Sequence, residues 1–145
     1  MAHGSERFLE VDGQRLAYAS SGDRASIVFI HGIPTSKYLW RNVATGLTDA
    51  RLGWVAFDLL GYGASSKPAD VDLGIANQAQ LIEQALGQLD WESGIVVGHD
   101  IGGGVAQLLA ANRPRMVRKL VLVDTIAYDS FPEPGIARLK EPVWD

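Results

Sequence analysis

The 145-residue chain contains no cysteine, which excludes disulfide bonds and thiolate metal sites. It has no apolar run long enough to span a bilayer, and its first ten residues lack the apolar segment of a signal peptide. Its 13 Lys and Arg are outnumbered by 17 Asp and Glu, and no basic cluster could neutralise nucleic-acid phosphates. These absences predict a cytoplasmic protein that binds neither nucleic acid nor membranes.

Hydrophobic residues make up 47% of the chain and charged residues 21%, which indicates a globular domain with a real core. Asp12-Gly13 predicts a hairpin between two short strands. After it, short apolar runs alternate with helical patterns. The alternation predicts an α/β fold with a mostly parallel sheet and helices on both faces. The expected strands are "SIVFIHG", "GWVAFDLLG", "GIVVGHD" and "KLVLVDTIA", all of them buried.

Three helices are expected between these strands. The first carries Trp40, Val43, Ala44 and Leu47 on one face, with Thr35 or Ser36 as its cap. The second spans 75–89 with apolar residues every three to four positions and Asp72 as its cap. The third runs from Gly102 to Arg113, where Pro114 stops it. Ligands of such sheets bind beyond the carboxyl ends of the strands, where His31-Gly32, 98–102 and Asp124 converge.

The stretch "VVGHDIGGG" predicts a tight turn from strand to helix, with Asp100 at its tip. Such a turn needs small residues two positions before and after the tip, and Gly98 and Gly102 supply them. The free N–H groups and positive dipole end of the following helix stabilise an anion at the tip. We therefore interpret Asp100 as a nucleophile rather than as the remnant of a lost serine in an inactive enzyme.

The residue type predicts the reaction. A carboxylate attacks a carbonyl unproductively, because the mixed anhydride readily reverses, but it can displace a leaving group from a saturated carbon. The resulting alkyl ester must then be hydrolysed by water, which needs a general base and an oxyanion hole. The backbone N–H groups of Ile33 and Ile101 are the expected oxyanion hole. An epoxide or an alkyl halide is the expected substrate, and acyl-ester hydrolysis is disfavoured because position 100 is not serine.

Three motifs resemble the α/β-hydrolase superfamily, specifically its haloalkane dehalogenase and epoxide hydrolase branch: "HGIPTSKYLWRNV", "FDLLGYGASSKP" and "VGHDIGGGVAQLLAANRP". In order and spacing they cover residues 27–125. The resemblance implies the fold, Asp100 as nucleophile, a histidine base, a second acid, a helical cap and no cofactor. The family's base lies near the C-terminus of a chain about twice this length.

The chain departs from that family pattern beside the nucleophile. Dehalogenases usually carry Trp after the nucleophile, and many carry Asn after His-Gly, where those side chains hold the halide. Here Ile101 and Ile33 offer no side-chain donor. Epoxide hydrolases also commonly carry Trp after the nucleophile, and they protonate the opening oxygen with tyrosines of the cap. The departures favour epoxide opening, with dehalogenation as the alternative.

The remaining roles at the site, namely the pocket wall, the acid and the base, have weaker candidates. Tyr62, Trp40 and Tyr38 are candidates for the pocket wall, with core packing as the alternative for Trp40. Asp124 is a candidate for the acid, because one dehalogenase subgroup carries its acid at the end of this strand. The alternative is that Asp124 caps a turn. No histidine fits the base: His31 is expected to brace the loop that carries Ile33, and the side chain of His99 should point away from that of Asp100.

The domain prediction is an N-terminal half of the hydrolase core at 1–128 and the start of a cap or linker at 129–145. The "LVLVD" strand would then have a bare apolar edge, so we expect a second chain that supplies the C-terminal half, with a small apolar electrophile as substrate. A non-catalytic protein of this fold that binds a small ligand, or an inactive fragment, is the competing hypothesis.

Overall fold

A computed structural model describes residues 6–22, 24–130 and 132. Their elements follow one another as two strands, then strands and helices in alternation. Six strands form one mixed sheet with the order β1-β2-β4-β3-β5-β6. The elements are β1 (Arg7–Val11), β2 (Gln14–Ser20), β3 (Ile27–Ile30), a 3-10 turn (Lys37–Trp40), α1 (Arg41–Asp49), β4 (Trp54–Phe57), α2 (Ile75–Gln88), β5 (Gly94–His99), α3 (Ile101–Asn112) and β6 (Val117–Val123).

The predicted hairpin is confirmed. Asp12 and Gly13 both have positive φ, 48° and 72°, which matches the twist of the two antiparallel strands β1 and β2. β2 then pairs antiparallel with β4, and β4, β3, β5 and β6 run parallel to one another. The prediction of an α/β fold with a mostly parallel sheet is therefore also confirmed.

β3 lies at the centre, with β4 on one side and β5 on the other. The chain therefore leaves β3 in one direction, to β4, and afterwards crosses back to β5. Such a reversal opens a crevice at the carboxyl ends of the strands, because the connections diverge there. The 31–36 loop after β3 and the turn at 99–102 after β5 meet at this crevice.

Helices cover both faces of the sheet, as the alternation predicted. The larger cluster of buried side chains lies under α2 and α3 and includes Ile30, Phe57, Ile82 and Leu109. The smaller cluster lies under α1 on the opposite face and includes Phe29, Trp40 and Trp54. Of the two caps predicted for the first helix, Ser36 caps the 3-10 turn by accepting a bond from the Tyr38 N–H at 3.3 Å.

Two predictions about these elements are wrong. Asp72 does not cap α2, because Gly74 occupies the cap position; Asp72 instead accepts a bond from the Gly74 N–H at 2.8 Å in the preceding turn. β6 is not a buried strand among the described residues, because the side chains of Leu120 to Val123 are between 37% and 43% exposed. The bare apolar edge that the sequence predicted at this strand is confirmed.

Most of the predicted cap or linker, residues 131 and 133–145, lies outside the described residues. Within the described part of the chain, no helix combines the length and the apolarity needed to cross a membrane.

Candidate active site

Asp100 occupies a sharp turn between β5 and α3. Its φ of 52° and ψ of -123° are rarely adopted by a residue with a side chain, so neighbouring structure must hold this conformation in place. Gly98 and Gly102 permit the turn. A Cβ atom on Gly98 would lie 2.6 Å from the Gly103 Cα, and one on Gly102 would collide with the carbonyl groups of Ile30 and His31.

The 31–36 loop presents a hydrogen-bond donor to Asp100. The backbone N–H of Ile33 donates to Asp100 Oδ2 at 2.8 Å, across 67 residues of sequence. Gly32 allows this approach, since a Cβ atom there would lie 2.7 Å from the same oxygen. The bond makes the two carboxylate oxygens inequivalent: Oδ2 is held, and Oδ1 receives no hydrogen bond from the described residues.

Ile101, the other residue of the predicted oxyanion hole, is the first residue of α3 and is buried. Its N–H is one of the helix's unpaired first donors, but it forms no bond to the Asp100 carboxylate in the described residues. The backbone of Asp100 is held from β6 and from the chain that follows it. Its N–H donates to the Val123 carbonyl at 3.3 Å, and its carbonyl accepts from the Thr125 hydroxyl at 3.0 Å.

Two of the aromatic residues predicted for the pocket occupy different environments. Tyr62 is half-buried, and its ring meets His31 edge-on with 5.5 Å between centroids. Burial and then the negative charge of Asp100 raise the pKa of the Tyr62 hydroxyl, so this side chain lies within the field of the carboxylate. Trp40 is only 7% exposed and stacks on Phe29 under α1, which favours core packing over pocket lining.

Neither of the two histidines within the described residues is placed as a base at Asp100, because neither forms a hydrogen bond to its side chain. His31 is fully buried; its Nε2 accepts from the Leu59 N–H at 3.0 Å, and its Nδ1 lies 3.0 Å from the Gly32 carbonyl. Both ring nitrogens are therefore used to hold backbone, as the bracing interpretation requires. His99 has a buried Nδ1 without a partner in the described structure and forms no bond to Asp100.

Asp124 lies directly after β6, at the same sheet edge as Asp100. It is exposed, its φ is 39°, and its carboxylate receives no hydrogen bond from the described residues. This placement fits either the predicted acid role or a turn carboxylate, and both interpretations stay predictions.

One charged pair beside the site was not predicted from the sequence. Lys37 Nζ lies 2.5 Å from Asp58 Oδ2, and the Asp58 side chain is completely buried. Asp58 is the first polar residue after β4 in the quoted "FDLLGYGASSKP" motif, which was the available signal. Lys37 gave no comparable signal, because a lone lysine in a loop is ordinarily solvated.

A cleft of about 690 Å³ lies elsewhere, at the amino ends of the parallel strands. Its lining includes the charged side chains Arg7, Arg24, Asp90, Glu92 and Arg118. It is far from Asp100 and too polar for an apolar electrophile, so we do not associate it with the site.

Comparison with known proteins defines the class of this fold. Residues 25–141 match the model of the α/β hydrolase fold family, and the chain therefore belongs to that family. Among its relatives are enzymes with both of the activities suggested by the sequence motifs. The chain is 34% identical over 129 residues to a soluble epoxide hydrolase of Corynebacterium sp., and 35% identical over 138 residues to a haloalkane dehalogenase of Agrobacterium fabrum.

These alignments cover 86% and 90% of the chain, but 44% of each relative. The solved structure of the epoxide hydrolase CorEH superposes with a TM-score of 0.79 at 32% identity, covering 90% of the chain and 47% of that protein. The chain thus spans less than half the length of these relatives. The match to both enzyme types confirms the branch that the motifs indicated.

Proposed function

We propose that this chain carries the nucleophilic half of a hydrolase that opens epoxides through an alkyl ester on Asp100. The observation that carries the proposal is the bond from the Ile33 N–H to Asp100 Oδ2, which leaves Oδ1 unbonded. In the first step, a lone pair of Oδ1 attacks an epoxide carbon, and the ring C–O bond breaks. The leaving oxygen takes the electron pair and is then protonated by a donor outside the described residues.

In the second step, water attacks Cγ of the ester while a general base takes a proton from that water. Negative charge develops on Oδ2, where the Ile33 N–H already donates and where the dipole of α3 is favourable. The Ile101 N–H is the proposed second donor. Collapse of the tetrahedral intermediate breaks the bond between Cγ and Oδ1; the general base returns its proton to Oδ1, which leaves in the diol, and the Asp100 carboxylate is regenerated.

Haloalkane dehalogenation is the alternative function, since a relative of similar identity has that activity. The first step would be the same displacement, with halide as the leaving group. The side chains of Ile33 and Ile101 cannot donate a hydrogen bond to a halide, which is why we favour the epoxide. Donors from outside the described residues would be needed for halide release.

We further propose that the base comes from a C-terminal half that pairs with the exposed edge of β6. Three observations support this. The two described histidines do not contact Asp100 as bases, the Leu120 to Val123 side chains are exposed at the sheet edge, and the relatives are more than twice as long as the matched segment. We expect an added C-terminal half to convert a single alkylation into turnover.

Covalent labelling tests the first step directly. The purified protein is incubated with styrene oxide or 1-bromobutane, and its intact mass and the modified peptide are determined. We expect one adduct on Asp100 in the wild type and none in Asp100→Asn. Asp70→Asn, in an exposed loop, is the matched control and should be labelled like the wild type. A ligand-binding protein without catalysis would bind these compounds reversibly and give no adduct.

The same assay separates the two candidate substrates and tests the acid. Faster labelling by the epoxide supports epoxide opening, and faster labelling by the bromide supports dehalogenation. If Asp124 is the acid, Asp124→Asn should keep the alkylation step and slow hydrolysis of the ester once the C-terminal half is added. Unchanged ester hydrolysis in that variant would assign Asp124 to the turn.

A further inference from the structure

The buried pair of Lys37 and Asp58 joins the start of the 3-10 turn, directly after the 31–36 loop, to the loop after β4. Lys37 bonds Asp58 twice, through its backbone N–H to Oδ1 at 2.6 Å and through its ammonium to Oδ2 at 2.5 Å. The Ala64 N–H also donates to Oδ2 at 2.8 Å. The Asp58 side chain is completely buried and that of Lys37 is 14% exposed, so the charges face each other with little water between them.

His31 lies between this pair and the active site. Its Nε2 accepts from the Leu59 N–H, the residue after Asp58, and its Nδ1 donates to the Gly32 carbonyl. Only a neutral ring with its proton on Nδ1 can form both bonds. The Gly32 carbonyl belongs to the peptide whose N–H is that of Ile33, the donor to Asp100.

The charge of the His31 ring depends on the groups that face it. Burial is the largest cause that lowers the pKa of His31, the bond to the Gly32 carbonyl and then the nearby Asp58 carboxylate raise it, and Lys37 and His99 lower it. The edge-on ring of Tyr62 is the other titratable contact. The Lys37 ammonium therefore opposes the carboxylate that would otherwise draw a proton onto His31. Burial also acts to lower the pKa of Lys37, but its bonds to Asp58 and Glu6 outweigh burial and raise it, so the ammonium stays charged.

We propose that Lys37 is a positioning residue for Asp100: by neutralising Asp58 it keeps His31 in the form that accepts from Leu59, and so holds the Ile33 N–H against the nucleophile. This inference rests on the proposed function. Lys37 forms no bond to Asp100 and acts through His31 and the 31–36 loop. A protonated His31 would present an N–H to the Leu59 N–H, and the loop would lose its support at that point.

The test combines two readouts in the full 145-residue chain. The first is the titration of the His31 imidazole, followed by nitrogen NMR, together with hydrogen exchange of the Ile33 amide. The second is the rate of Asp100 alkylation by styrene oxide at pH 6 and pH 8. The variants are Lys37→Met, Lys37→Arg as the conservative rescue, and Arg115→Met as an exposed charge deletion at the opposite end of the sheet.

In Lys37→Met we expect His31 to titrate at a higher pH and the Ile33 amide to exchange faster. The ratio of the alkylation rate at pH 6 to that at pH 8 should fall below the wild-type ratio, because a displaced donor misplaces the carboxylate. Lys37→Arg should restore both readouts, and Arg115→Met should leave both unchanged. A Lys37→Met protein with the wild-type His31 titration and pH profile would overturn the proposal.

Two further variants keep the test decisive if Lys37→Met does not fold. In Asp58→Asn the ammonium keeps only Glu6 as its charged partner, and in Lys37→Met/Asp58→Asn neither charge of the buried pair is present. We expect His31 to titrate at a higher pH in the double variant than in Asp58→Asn, and equal titrations would refute the role of Lys37. If the wild type is not alkylated at any pH, the proposed function fails. The imidazole titration and the Ile33 exchange then decide the inference by themselves.

Discussion

At the scale of single residues, the site depends on glycines that let neighbouring backbone or the Asp100 side chain approach closely. Gly32, Gly98 and Gly102 each lie where a Cβ atom would overlap backbone or the Asp100 side chain. The sequence predicted the two glycines of the turn from its geometry. It could not predict that Gly102 also packs against the end of β3, because that contact depends on how two parallel strands align.

Gly102→Ala should destabilise the fold. The added methyl group would meet the carbonyl oxygens of Ile30 and His31, which lie at and just after the end of a buried strand and cannot move away freely. We expect a loss of about 2–3 kcal/mol in the free energy of unfolding, measured by urea denaturation. Gly87→Ala is the matched control: it lies in α2 with nothing within 4 Å of the new Cβ, and it should be neutral or stabilising. Equal effects of the two substitutions would contradict the steric argument.

The pH dependence of stability should report His31. Its pKa in the folded protein lies below the ordinary value of 6.5, mainly because of burial, so the unfolded chain binds a proton more readily. The free energy of unfolding should therefore fall as the pH drops below about 6.5, with the full contribution present above that pH. Urea denaturation between pH 5.5 and 8 measures the slope. His31→Gln should flatten it, and a slope unchanged by that substitution would assign the effect to another group.

At the scale of elements, α2 is fastened to the loop after β4 by a buried polar side chain. Gln78 is 1% exposed; its Oε1 accepts from the Leu60 N–H at 3.0 Å, and its Nε2 donates to the Leu60 carbonyl at 2.8 Å. The pattern of apolar residues predicted α2, but Gln78 itself looks like any polar helix residue. Its role depends on its bonds to Leu60, in a loop 18 positions earlier in the chain, and only the folded structure shows them.

Gln78→Met should lower the free energy of unfolding by more than the loss of two ordinary surface hydrogen bonds would. The substitution keeps a similar volume but leaves both Leu60 backbone groups buried without partners. We expect a decrease of about 2–3 kcal/mol in the free energy of unfolding. Gln80→Met, an exposed position on the same helix, should change it little. A small effect at position 78 would mean that water replaces the amide.

The elements that the sequence predicted well are those set by local pattern. The Asp12-Gly13 hairpin and the alternation of strands and helices depend on residues close in sequence, and so does the turn at Asp100. The failures are different in kind. Asp72 was two residues too early for the cap because the chain makes one more turn before α2. The bonds of Ile33 to Asp100 and of Lys37 to Asp58 span 67 and 21 residues, so they exist only in the folded sheet.

At the scale of the whole molecule, β6 leaves a row of apolar side chains exposed on both of its faces. Leu120 and Leu122 project to one side of the strand, and Val121 and Val123 to the other, all between 37% and 43% exposed. An open strand edge with such a surface is prone to pair with another chain. The expectation of a buried strand failed among the described residues because apolar content does not say whether a neighbour covers a strand.

We expect the 145-residue chain to self-associate through this edge. Leu122→Lys should lower the sedimentation coefficient toward that of a monomer, because a charge on an exposed edge opposes strand pairing. Leu52→Lys, at a residue 46% exposed before β4, should leave the association unchanged. Sedimentation velocity over a concentration series makes the comparison. Equal association of the two variants would place the contact on another surface.

The bond from Ile33 to Asp100 also ties the proposed chemistry to the order in which the protein folds. The two residues follow neighbouring central strands and meet only after β3 and β5 have paired in register. A carboxylate on an unfolded chain lacks both this donor and the dipole of α3. During refolding, uptake of the electrophile by Asp100 should therefore begin only when the centre of the sheet has formed. The onset of Asp100 alkylation would then report the time at which the fold is completed.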